Sequence, residues 1–171
     1  MSAPVENPPT PWRRVLAWVD VRFRSPAAIY GLIVFTAFVT IAEDHAESIE
    51  DMLATSVASL IVFFIAHVFA HTLTEHSEHG FRAALRNALR HGSGMLYASV
   101  PSIIVLAVSW ATGATIHDAV DSCMLTAFIM LALLGYHAFQ SRRAPLFGRI
   151  LGAVATAMLG IFIVILEYGF H

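Results

Sequence analysis

Residues 52–73 read MLATSVASLIVFFIAHVFAHTL, a run of 22 residues without a carboxylate, ammonium or guanidinium group. A helix rises about 1.5 Å per residue and the hydrocarbon core of a bilayer is about 30 Å thick, so about 20 apolar residues suffice to cross it. This stretch is long enough, and in hydrocarbon only a helix or a closed barrel satisfies its own backbone N–H and C=O groups. Outward from it the chain keeps the same character. Of 171 residues, 57% are hydrophobic and only 13% charged, with a mean hydropathy of +0.70, whereas a soluble domain carries about 25% charged residues. That deficit excludes a water-soluble globule, a disordered segment and a nucleic-acid binder, and no nucleic-acid partner is expected. Cys123 is the single cysteine, so no internal disulfide is implied. Met1 to Pro11 is polar and Pro-rich, unlike a signal peptide.

Four further apolar runs flank this one, giving an all-α polytopic membrane protein with spans at about 26–42, 52–73, 95–115, 119–139 and 146–168. Residues 1–25 form a separate segment whose WRRVLAWVDVRFR stretch, residues 12–24, suits a basic helix lying in the interface. Residues 26–171 form one membrane domain, with Pro26 in the first turn of its first span, where a missing N–H costs nothing. All ten cationic residues are arginine, and five spans place every one on the same side: before span one, between spans two and three, and between spans four and five, with Arg149 in the first turn of span five. The positive-inside rule then puts the N-terminus in the cytoplasm and the C-terminus outside. Between spans two and three, Phe81, Ala84, Leu85, Ala88 and Leu89 recur at helical spacing, predicting a short cytoplasmic amphipathic helix at about 76–91 that Gly92 and Gly94 terminate.

Chemistry concentrates at the end of span two. His67, His71, Glu75 and Glu78 fall within an arc of roughly 80° on a helix, with His79 at its edge. Imidazoles at i and i+4 can share a divalent cation, and carboxylates complete its shell. Ionisable groups within a membrane mark functional sites by default, although neutral imidazole also serves as an ordinary interhelical hydrogen-bonding group. His137 lies at a similar depth on span four, and an interfacial position beside Arg142 is its simpler reading. The first outer loop, EDHAESIED at 43–51, includes Glu43, Asp44 and Glu47 and would concentrate cations at an outer mouth. Its lack of a turn glycine and of alternating aspartates excludes a calcium loop, and an acidic solvated loop is the simpler reading. No nucleophile motif, phosphate loop or paired cysteines occur, so no enzyme is expected. Gly152, Ala153, Ala155, Ala157 and Gly160 allow span five to approach a neighbour closely.

The layout resembles the vacuolar iron transporter family. AIYGLIVFTAFVTIAED at 28–44 is similar to that family's Asn-Asp-Gly-Leu run, with Gly31 and Leu32 retained. IAHVFAH at 65–71 is similar to its Ser-Met-x-x-Gly-Glu segment, with His67 at the methionine and His71 at the glutamate. LLGYHAFQSRRAPLFGRILGAVATAML at 133–159 is similar to its fourth span, basic loop and fifth span. The resemblance implies five spans, a helical extension after span two, a homodimer and metal handling by His67 and His71. Two features depart from the family: Tyr30 stands at the span-one aspartate and Ile29 at the asparagine, and the cytoplasmic insertion is much shorter than the family's glutamate-rich domain.

The expected function is proton-coupled export of a divalent transition metal from the cytoplasm across a bacterial inner membrane. Iron, manganese, zinc, cobalt and nickel all suit the donor set, and no organic cofactor is expected. His67, His71, Glu75, Glu78 and His79 would hold the ion, and Tyr30, Glu43, Asp44, Glu47 and His137 would line its pathway or outer mouth. Two alternatives remain open. One is a structural or regulatory membrane protein on a transporter-like fold, with Tyr30, Phe35 and Phe38 closing the span-one interface. The other is a haem-binding electron carrier that pairs His67 or His71 with His137.

Overall fold

The computed structural model describes residues 26–140 and 146–170. The basic stretch at 12–24, Arg142 and Arg143 lie outside the described residues. Five α-helices follow in order: α1 (Pro26–Glu43), α2 (Ile49–His79), α3 (Phe81–Thr112), α4 (Ile116–Gln140) and α5 (Leu146–Phe170). Four of them, α1 to α4, are long and apolar enough to cross a membrane, and the described apolar stretch of α5, Leu146–Phe162, is shorter.

Their exposed faces are apolar as well. Ile65, Phe69 and Leu73 stand 60%, 63% and 56% exposed one turn apart along α2, and Leu125, Ile129 and Leu133 repeat the pattern on α4. In water such stripes would be a liability, whereas against lipid they meet a solvent of their own polarity. This is the surface of an integral membrane protein.

α1 is the central element. It touches each of the other four helices, and 50% of its span is buried against 22% of the α2 span. α2 pairs with α3, α4 pairs with α5, and α3 joins the two pairs by packing on α4. Near the Glu43 end, Phe35, Val39, Met52, Leu106 and Cys123 form one core cluster. Near the opposite end, Ala28, Leu32, Ala98, Ala127 and Leu131 form a second. Both join α1 to α3 and α4 through small residues alternating with large ones. That arrangement suits a bundle in which lipid supplies no hydrophobic drive and close packing must hold the helices together.

The connection between α2 and α3 corrects the sequence reading. No separate helix spans 76–91: α2 runs on to His79, the chain reverses at Gly80, and α3 continues unbroken from Phe81 past Gly92 and Gly94 to Thr112. Gly80 has φ 76° and ψ 150°, a region open essentially to glycine alone. The two glycines expected to end a helix are buried inside one instead. An added Cβ at Gly92 would lie 3.2 Å from the Phe64 ring and 3.3 Å from the His67 ring, so Gly92 admits α2 rather than breaking α3. Each glycine weakens a helix by about 1 kcal/mol, and the close helix contact offsets it. At 31 and 32 residues, α2 and α3 are each about 46–48 Å long, so their hairpin outreaches the hydrocarbon layer.

Candidate functional site

Reversal at Gly80 decides the site. α2 ascends from Gly80 through Glu75 and His71 to His67, and α3 leaves it through Asn87 and His91. His67, His71 and Glu75 are spaced by four residues and rotate only about 40° per step. They therefore form one strip, and that strip faces α3.

The contacts run continuously along it. The rings of His67 and His71 lie with centroids 6.0 Å apart, edge to face, and His71 stacks on His91 of α3 at 5.9 Å. Glu75 Oε1 lies 3.3 Å from His71 Nδ1, and Glu75 Oε2 accepts a 2.7 Å hydrogen bond from the Asn87 amide. The N-terminal turns of α1 complete a cleft of about 310 Å³, with Pro26, Ala27 and Tyr30 lining it beside His67, His71 and His91.

Two nitrogen atoms in this cleft are poised for a ligand. His91 Nδ1 is 2.9 Å from the Asn87 carbonyl oxygen. A carbonyl only accepts, so Nδ1 carries the proton and a neutral His91 keeps its Nε2 lone pair free. This is the backbone-held tautomer that metal-binding histidines use. His71 Nδ1 is buried without a hydrogen bond, because the neighbouring Glu75 oxygen falls outside hydrogen-bonding geometry. An unsatisfied buried acceptor or donor calls for an explanation, and a cation or a transferred proton provides one. Among the described residues, no three histidine, cysteine, aspartate or glutamate side chains converge as a metal cage. The arrangement is a string of donors rather than a closed shell.

The other residues singled out from the sequence are dispersed. Glu78 and His79 lie in the last turn of α2, and their side chains are outside the description. His137 is exposed on α4 with its ring against Tyr136. It does not line the cleft, so the haem pairing of His67 or His71 with His137 is not assembled there. Tyr30 lines the cleft and packs on Phe63 at 5.4 Å.

At the far end of the bundle, Asp44 and Glu47 are exposed between α1 and α2, while Glu43 makes a specific contact. Its Oε1 lies 3.2 Å from His117 Nδ1, and His117 Nε2 lies 3.8 Å from Asp121. The hydrogen bond with Glu43, helped by the charges of Asp121 and Glu43 and more weakly by Asp118, raises the His117 pKa above 6.5. His117 precedes the apolar run that begins at Ala119, and its side chain is 73% exposed.

Sequence reasoning missed His91, Asn87 and His117. The first two had a signal. Gly80 lies nine residues after His71 and eleven before His91, five after Glu75 and seven before Asn87, so a hairpin folded at Gly80 brings both pairs level. His117 had none, since the approach of α4 to α1 is a long-range contact. No family model, curated protein or solved structure matches the chain.

Proposed function

We propose that this protein is a membrane carrier for a divalent transition metal, with five spans, a cytoplasmic N-terminus and an external C-terminus. The observation that carries the reading is the buried, unbonded Nδ1 of His71, which faces Glu75 at 3.3 Å on a ring flanked by those of His67 and His91. A metal–imidazole bond of about 2.0–2.1 Å sets two rings on one tetrahedral ion about 5 Å apart, centre to centre. The observed 6.0 and 5.9 Å come within about 1 Å of that spacing, so rotation of the rings brings their nitrogens to a shared ion. A loose string of donors also suits passage, because a carrier must release what it binds. Glu75 offers the ion a carboxylate and the site a proton acceptor, which supports exchange of metal for protons. The distribution of the ten arginines and the 25-residue length of α5 support five spans in this orientation. The likeness of spans one and two to iron transporters supports the cargo class and a homodimer.

Elemental analysis of purified, desalted protein after exposure to divalent metals tests the site, and uptake into proteoliposomes tests transport. Wild type is expected to retain about one ion per chain. His67→Ala/His71→Ala and His91→Ala are each expected to weaken retention at least about tenfold, while His137→Ala leaves it unchanged. Retention unaltered in the first two variants would refute the assignment.

A second reading has an observation of its own. Phe35 is fully buried, and Tyr30 and Phe38 both pack on Phe63, at 5.4 and 6.4 Å, so aromatic contacts hold α1 against α2 where the resemblance sets an acid. A non-transporting structural or regulatory protein would have such a seam. Metal flux into liposomes removes this reading; absence of flux together with absence of retained metal establishes it over the carrier.

A further inference from the structure

Beyond the histidine cleft, the same hairpin holds a second, chemically different recess. Glu75, Ala83, Arg86, Asn87 and Arg90 line a cavity of about 280 Å³ between α2 and the first turns of α3. Arg86 and Arg90 are one turn apart on α3, so their guanidinium groups serve the same side of the helix. Ala83, a small residue, lines the recess beside them.

The depth of the recess is informative. Arg90 precedes Met95, where the apolar run of α3 begins, by five residues, or about 7.5 Å of helix. Glu75 follows Leu73 on α2 by two residues, or about 3 Å. The headgroup layer on each side of a bilayer is about 5–8 Å thick. Glu75 sits level with Asn87 across the hairpin and Arg90 lies three residues, about 4.5 Å, deeper, so the recess straddles the ends of the two apolar runs, where the stems of Arg86 and Arg90 are long enough to bring their guanidinium groups to the phosphate layer.

We propose that this recess binds the phosphate of an anionic lipid headgroup. Guanidinium pairs recognise phosphate through forked, charge-assisted hydrogen bonds, and basic recesses between helices on the cytoplasmic side hold such headgroups. The charge balance fits. Among the described residues, two arginines and one carboxylate give the lining a net charge of +1, which one phosphodiester neutralises. Glu75 Oε2 accepts from Asn87 and its Oε1 lies towards His71, so the carboxylate is tied to the α2–α3 seam while the guanidinium groups supply the attraction. Glu75 thereby lines this recess and touches His71 of the histidine cleft, and its effect on the two ligands has opposite sign.

Native mass spectrometry of the full-length chain, titrated with phosphatidylglycerol or phosphatidylcholine, tests the proposal. One phosphatidylglycerol is expected to bind roughly tenfold or more tightly than phosphatidylcholine. Arg86→Gln/Arg90→Gln should abolish that preference, and Arg82→Gln, which does not line the recess, should keep it. Glu75→Gln should tighten phosphatidylglycerol binding while weakening metal retention, which separates this proposal from the carrier reading. Equal affinity for both lipids in wild type, a preserved preference in the double variant, or weaker lipid binding by Glu75→Gln would each overturn it. Displacement of the lipid by millimolar inorganic phosphate would overturn the lipid assignment by showing a site for free phosphate.

Discussion

His117 ties the first turn of α4 to the last residue of α1 through Glu43, and its chemistry makes that tie pH-dependent. The protonated ring is favoured in the folded state, since Glu43, Asp121 and Asp118 all raise its pKa. The contribution is therefore complete below pH 6.5, the ordinary value, and is lost as pH rises through the higher folded value. Thermal melts of wild type against His117→Asn are expected to show a small stability advantage at pH 6 that vanishes by pH 9. An advantage independent of pH would show that the contact does not act through charge. At the same scale, the imidazoles of the cleft were only half legible. His67 and His71 announced themselves by their four-residue spacing on an apolar helix, but which nitrogen is free depends on neighbours. For His91 the Asn87 carbonyl makes that choice, and no reading of residue types reveals it.

Among the elements, the α2–α3 hairpin governs the site because its turn sets the register between His71 and His91 and between Glu75 and Asn87. Two glycines with positive φ bound α3, and they differ in kind. Gly113 occupies the ordinary left-handed region at φ 69°, ψ 31°, which asparagine also adopts readily. Gly80, at φ 76°, ψ 150°, occupies a region that side chains avoid, at a cost of about 1–3 kcal/mol. No atom lies within 4 Å of a Cβ added at either position, so backbone preference alone separates them. Gly113→Asn is expected to leave the melting temperature nearly unchanged, and Gly80→Asn to lower it by several degrees and to weaken metal retention. Equal melting temperatures would contradict the turn geometry. Gly92 teaches a related lesson: a glycine in a helical pattern is either a breaker or a place of close approach, and sequence alone does not distinguish them. Here Phe64 and His67 of the neighbouring helix fill the space a side chain would take.

For the whole molecule, the arrangement of charge makes a topological prediction. If the chain crosses five times, Asp44 and His171 share the outer side and Arg82 faces the cytoplasm. In a Cys123→Ala background, which removes the buried native thiol, Asp44→Cys and His171→Cys are expected to react with an impermeant maleimide added to intact cells, and Arg82→Cys only after permeabilisation. A fifth helix that failed to cross would place His171→Cys with Arg82→Cys. α1 meets every other helix, and its Tyr30 lines the cleft while packing on Phe63 of α2.

Apolar runs of sufficient length, the clustering of arginine and the helical spacing of His67, His71 and Glu75 are properties of the chain as written. Each follows from transfer energy or from 100° of rotation per residue, so an all-helical membrane protein with a donor strip on its second helix is legible in the residues alone. The bundle order, the central α1, the reversal at Gly80 and the arrival of His91, Asn87 and His117 depended on which faces pack. Lipid is as apolar as a leucine side chain, so hydrophobicity does not tell a membrane helix which side to turn inward. Steric fit between small and large residues decides that, and only the tertiary structure contains it.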